Sequence, residues 1–264
     1  MSIADPYIVV LEVEADVVRA LLFDGGARRV EGYSAQLPRR ADAEADCLDE
    51  MHRLVDAAGL RVGAVVGGDQ AMWQGAAWFR ALPEGAGAIL GSGCVGRERF
   101  SLVIGAAGML GTVSAAPVAE FDCAQIDEQR WLVAGAVPEA GGVYAALRHE
   151  TKGSVEEFLE KAAEDHPLLE PVNAVGRRFR EIFERLEKAV GTPGEVLACG
   201  SALLKSPAWT QRIANALGVP LTLSTEAEPA GRGAALWALE RIGVIESVGA
   251  LGASTGAVFR PVGS

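Results

Sequence analysis

The sequence predicts an α/β protein of two domains with related architecture. Three observations carry that reading. The first 66 residues run in the order βββαβ. A strand–turn–strand–turn–strand pattern at residues 7–36 returns at 86–115. The last third reads as helices separated by two strands.

In order along the chain, Tyr7–Val13 and Val17–Asp24 are β-branched and aliphatic runs joined by a turn that holds Glu14 and Asp16. Asp24-Gly25-Gly26 is a hairpin signal, and Arg29–Gln36 reads as a third strand ended by Pro38. Leu48, Met51, Leu54, Val55 and Ala58 share one helical face with Gly59 as the stop, and Val62–Val66 is a short buried strand. Ala86–Leu90, closed by Gly91-Ser92-Gly93, and Phe100–Ile104, closed by Gly105-Ala106-Ala107-Gly108, read as strands. Met109–Ala115, Ala119–Ile126 and Arg130–Ala136 follow as further strands, and Asp165-His166-Pro167 as a loop. Val172, Val175, Phe179, Ile182, Phe183, Leu186 and Val190 form the apolar stripe of a long helix, followed by the strand Glu195–Cys199. Ser206-Pro207 is an N-cap and first-turn pair for a helix that stops at Gly218. A strand over Val219–Leu223 and a helix over Gly231–Ile242 complete the order, and the domain boundary is expected at 84/85, giving domains 1–84 and 85–264.

A chain of 264 residues, half of them hydrophobic and 22% charged, has a globular composition. Its net charge of −11 excludes nucleic acid and anionic membrane surfaces as expected partners, because both need clustered Lys and Arg. No apolar run reaches the ~18–20 residues of a membrane helix, and the start MSIADPYIVV lacks a basic leader pattern, so the expected location is the cytoplasm. Cys47, Cys94, Cys123 and Cys199 form no CxxC pair and read as reduced thiols.

Three stretches carry a resemblance. ACGSALLKSPAWTQRIANALGVPLTLSTEAEPAGRGAALWALERIG (198–243) is similar to the adenosine-binding strand–turn–helix, and the Gly/Ala-rich helix behind it, of the FGGY family of carbohydrate kinases. AWFRALPEGAGAILGSGCVGRERFSLVIGAAGML (77–110) resembles the segment where that family's domains meet, and RALLFDGGARRVEGYSAQLP (19–38) resembles its first hairpin and third strand. The nearest likeness is to gluconate- and xylulose-kinase-like members. The resemblance implies two ribonuclease H-like domains of the actin/hexokinase-like ATPase superfamily, with the N-terminal domain here reduced. It also implies ATP or ADP with Mg²⁺ as cofactor.

The departures from the family pattern bear on chemistry. One helix stands between Gln36 and Val62, where the family has a large sugar-binding insertion, and a second family loop is lacking between Gly142 and Val175. The register set by Val18-Arg19 puts Glu12 at the family's first-turn Asp, a tentative Mg²⁺ ligand, Glu14 at its glycine and Ala15 at its threonine. Glycine lets backbone N–H groups approach a phosphate. A glutamate brings bulk and like charge, and two unit charges ~4 Å apart interact by about 4 kcal/mol at an effective dielectric near 20. The second phosphate turn is Gly105, Ala106, Ala107 and Gly108, without hydroxyl donors. The adenosine turn is Gly200, Ser201 and Ala202, a mild change.

The family's catalytic aspartate position is occupied by Glu84, with Asp69 of Gly67-Gly68-Asp69-Gln70 as runner-up. The joint pattern predicts a shortened FGGY-type pseudokinase with lost or weak sugar phosphorylation, weak ATP binding and a binding or regulatory role. The alternative is an active small kinase that phosphorylates a sugar or sugar acid with Glu84 as general base. The apolar helices at 172–190 and 229–242 and the exposed-looking tail after Gly249 are candidates for a homodimer interface.

Overall fold

The computed structural model describes residues 6–68, 73–151, 153–163 and 165–262. The elements run β1 (Tyr7–Val13), β2 (Val17–Phe23), β3 (Arg29–Pro38), α1 (Ala43–Ala57), β4 (Val62–Val66), β5 (Ala77–Phe79), α2 (Ala86–Gly91), β6 (Arg99–Ile104), β7 (Gly108–Ser114) and β8 (Asp122–Gln125). They continue with β9 (Trp131–Val137), α3 (Ala140–Glu150), α4 (Val155–Lys161), a 3-10 turn (Pro167–Leu169), α5 (Glu170–Val190) and β10 (Glu195–Cys199). The last are α6 (Ser201–Lys205), α7 (Pro207–Leu217), β11 (Leu221–Ser224), α8 (Pro229–Arg241) and β12 (Thr255–Phe259).

The chain divides into two compact units, Met1–Gly91 with Glu228–Gly252, and Ser92–Ala227 with Ala253–Ser264. Residues 85–91 and 228–252 therefore pack with the first unit, whereas the sequence reading draws one boundary at 84/85. In the first unit the described strands lie in the order β3-β2-β1-β4-β5, an antiparallel hairpin meander extended by parallel β4 and β5. Alternation along β1 sends Val9 and Leu11 to one face, where they join Leu48, Met51 and Val55 of α1 in a buried cluster. The opposite face packs against α8.

In the second unit the order is β12-β11-β10-β6-β7-β9-β8. Strands β9-β7-β6-β10-β11 repeat the first unit's pattern, an antiparallel meander followed by two parallel strands. Both units thus have the ribonuclease H-like sheet. The echo of residues 7–36 is the meander of β6, β7 and β9, not residues 86–115. Phe100, Leu102 and Ile104 of β6 pack under α5 through Phe179, Phe183 and Leu186 in this unit's core.

Several expectations are corrected. Ala86–Leu90 is the helix α2, not a strand. All six residues of α2 are buried, and an apolar run that short has no periodicity to separate helix from strand. The strand expected over 119–126 shrinks to β8. Helices α3 and α4 fill the segment between Gly142 and Val175, and the tail after Gly249 contributes β12, paired antiparallel with β11. His166 is not in a plain loop: its Nδ1 accepts from the Leu168 N–H at 3.2 Å and caps the 3-10 turn. Other boundaries held within a few residues. Ser206 caps α7 by accepting from the Trp209 N–H, and Gly218 ends that helix in the left-handed region at φ 71°.

Candidate functional sites, one in each unit

In the first unit the β1–β2 register sets Glu12 directly opposite Arg19. Cross-strand neighbours of opposite charge interact directly, and here Arg19 reaches further. Its Nη2 donates to Glu12 Oε2 and to Glu14 Oε1, each at 2.7 Å, and its Nη1 lies 3.4 Å from Glu228 Oε1. Arg29 Nη1 donates to the same Glu228 oxygen at 3.2 Å. Three carboxylates and two guanidinium groups therefore form one cluster. The sequence reading of a bare acidic turn is revised, because Arg19 neutralises much of its charge from within.

The turn is closed by its backbone as well. The Glu14 N–H donates to Val17 O at 2.8 Å, the Arg39 N–H to Asp16 O at 3.0 Å and Arg39 Nη1 to Glu14 O at 3.1 Å. An N–H that a phosphate would need at Glu14 is thus already used. Ala15 and Asp16 stand exposed at the tip.

Glu12 is the strained member of the cluster. Its side chain is only 12% exposed, and Oε1 is buried without a hydrogen-bond partner among the described residues. Burial pushes its carboxyl above the usual range; Arg19 opposes that shift, while Glu228 and Glu14 add to it. This donor set does not fit Mg²⁺, which needs near-octahedral oxygen ligands. One Glu12 oxygen is held by a guanidinium and the other is walled in near Phe23 and α8. Among the described residues no group of three or more His, Cys, Asp or Glu is arranged to hold a metal.

Glu84 is exposed in the loop before α2 and makes no hydrogen bond or ion pair with the described residues. Asp69 lies outside the described residues.

In the second unit the structure brings the two other candidate turns to one sheet edge. Strands β6 and β10 are parallel neighbours, so Gly105–Gly108 and Gly200–Ala202 both follow carboxyl ends, where open α/β sheets place ligands. Gly200 sits at φ 102°, and a Cβ there would meet Ile104 O at 2.4 Å, so glycine is required. Ala106 and Ala107 are exposed and carry no side-chain donor, and the Gly105 N–H is consumed by Ala107 O at 2.9 Å. Ser224, missed by the sequence reading, ends neighbouring β11 with its Oγ fully buried and without a hydrogen-bond partner among the described residues. Its only sequence signal was the alternating run Leu221-Thr222-Leu223-Ser224.

The cysteines are free thiols. Burial pushes Cys94 and Cys199 up to about 12, opposed in part by hydrogen bonding with Thr112 for Cys94 and with Ser101 and Ser92 for Cys199. Such thiols are poor nucleophiles.

Residues 171–240 match the family model of the C-terminal domain of the FGGY family of carbohydrate kinases. No curated protein matches the chain. Among solved structures, a ligand-bound xylulose kinase from Lactobacillus acidophilus is similar with a TM-score of 0.76 at 12% identity, over 97% of this chain and 94% of that one. Gluconate kinase from the same organism gives a TM-score of 0.76 at 11% identity over the same shares. The activator of the 2-hydroxyisocaproyl-CoA dehydratase from Clostridium difficile gives 0.54 at 12% identity, over 89% of this chain and 95% of that one. These identities speak to the fold, while the family signature lies in the matched segment. Residues 171–240 thus match the C-terminal domain of the FGGY carbohydrate kinases, and the chain shares its fold with the solved xylulose and gluconate kinases.

Proposed function

We propose that this protein has lost, or nearly lost, sugar phosphorylation and acts by binding a small ligand, as a nucleotide- or metabolite-responsive regulatory protein or partner subunit. The observation that carries the reading is the Arg19 clamp. The turn that should receive phosphate is satisfied internally by Arg19, Arg39 and its own backbone. Phosphoryl transfer depends on donors and Mg²⁺ aimed at the phosphates, and neither candidate phosphate turn offers a free hydroxyl. The adenosine side is better kept, since Gly200 and Ser224 leave a glycine cradle and an unspent hydroxyl at the sheet edge. Nucleotide affinity is therefore weak and owed mainly to the nucleoside.

The same reading makes the protein cytoplasmic and leaves a homodimer open to measurement. Among the described residues no helix is long and apolar enough to cross a membrane. Purified protein with Mg-ATP and a panel of sugars and sugar acids is expected to release no ADP above the ATP-only blank. Adenosine should raise the melting temperature at least as much as ATP does.

A second reading rests on Glu84, which is exposed and makes no hydrogen bond or ion pair among the described residues, as a general base would need before substrate arrives. Sugar-dependent ADP release that Glu84→Gln abolishes would establish this active kinase and overturn the first reading.

A further inference from the structure

Arg232 is a buried charge, 5% exposed, in the first turn of α8. Burying a guanidinium is costly unless its donors are matched. Its Nη1 donates to Gly91 O at 2.7 Å, and its Nη2 to Leu251 O at 3.1 Å and Gly252 O at 2.8 Å. Its backbone N–H donates to Glu228 O at 2.9 Å.

Those acceptors have a common position in the chain. The chain passes between its two compact units at three places, after Gly91, before Glu228 and after Gly252. The guanidinium holds two of the boundary residues of the first unit, Gly91 and Gly252, and the third, Glu228, is tied to the same turn of α8 by the backbone N–H of Arg232, so the side chain fixes the other two passages to the turn where the third begins.

The surrounding backbone is built for that reach. At the α2–α8 crossing a Cβ on Gly91 would lie 1.8 Å from Pro229 O, and one on Gly233 would lie 1.9 Å from Gly87 O. Only glycine lets the end of α2 come so near α8. The segment after α8 is strapped back along it by the Val244 N–H on Leu239 O and by the Val248 N–H on Glu240 Oε2.

We propose that Arg232 is a conformational pin that binds the three chain passages out of the first unit into one block, so that they open together and not singly. A lysine cannot replace it, because one compact ammonium lacks the planar fork that reaches Gly91 O on one side and residues 251 and 252 on the other.

Native-state hydrogen exchange on the full chain tests this. In the unmodified protein, peptides covering residues 91–94, 226–231 and 250–254 should show one shared dependence of exchange on low denaturant. In Arg232→Met all three should exchange faster together, roughly tenfold or more, while the amides of β1 and β10 keep their protection. Arg232→Lys should show the same joint acceleration. Acceleration of one passage alone, or separate denaturant dependences in the unmodified protein, overturns the pin. A uniform loss of protection across both sheets assigns Arg232 to general stability and also overturns it. Should Arg232→Met not fold, the unmodified protein and Arg232→Lys decide the matter.

Discussion

Arg19 holds two glutamates that stand two residues apart at the end of β1, and one of them is nearly buried. Arg19→Met leaves Glu12 with no partner for either oxygen. We expect a loss of about 2–3 kcal/mol in urea unfolding, below the ~3–5 kcal/mol of a fully buried pair because the guanidinium is a quarter exposed. Adding Glu12→Gln to that variant should restore much of the loss. The pH dependence follows from the direction of the Glu12 shift. A carboxyl whose folded value lies above its ordinary 4.5 contributes stability that is fully present below pH 4.5 and is lost as pH rises through the folded value. Glu12→Gln should flatten that fall in a stability–pH series. At this scale the sequence was half legible. Glu12, Glu14 and Arg19 stand within eight residues and were singled out or placed in register. Glu228 lies 209 positions from Arg19, and only the folded arrangement of α8 brings it there.

At the scale of elements, legibility followed periodicity and capping. The stripe from Val172 to Val190 and the Ser206–Gly218 signals gave α5 and α7 almost to the residue, because each residue in those patterns has a separate physical reason to be there. Helix α2 was read as a strand because its local pattern is silent. What makes it a helix is its tertiary fit against α8 through Gly87, Gly91 and Gly233. Gly233→Ala should therefore cost about 1–3 kcal/mol or more, since the obstruction is backbone and cannot swing aside. A similar substitution at Gly142, inside α3 where a Cβ meets nothing within 4 Å, should stabilise by up to about 1 kcal/mol and serves as the control. The start of α7 offers a milder case. Ser206 accepts from the Trp209 N–H and its hydroxyl also engages Glu156, so Ser206→Ala should cost about 1–2 kcal/mol by thermal melting.

For the whole molecule, the two-domain α/β reading held because the sheet pattern β3-β2-β1-β4-β5 recurs as β9-β7-β6-β10-β11. The chain's return to the first unit at Glu228 was not legible, since no turn or linker composition marks it. That interleaving has a consequence for synthesis on the ribosome. The β1–β2–β4 face that α8 covers remains bare until residues 229–241 have emerged, so the N-terminal sheet must wait, with its apolar side unprotected, for a helix made more than 150 residues later. Nascent chains halted before residue 228 should accordingly be protease-sensitive in β1 and β2 and bind hydrophobic chaperones, and chains extended past residue 252 should not.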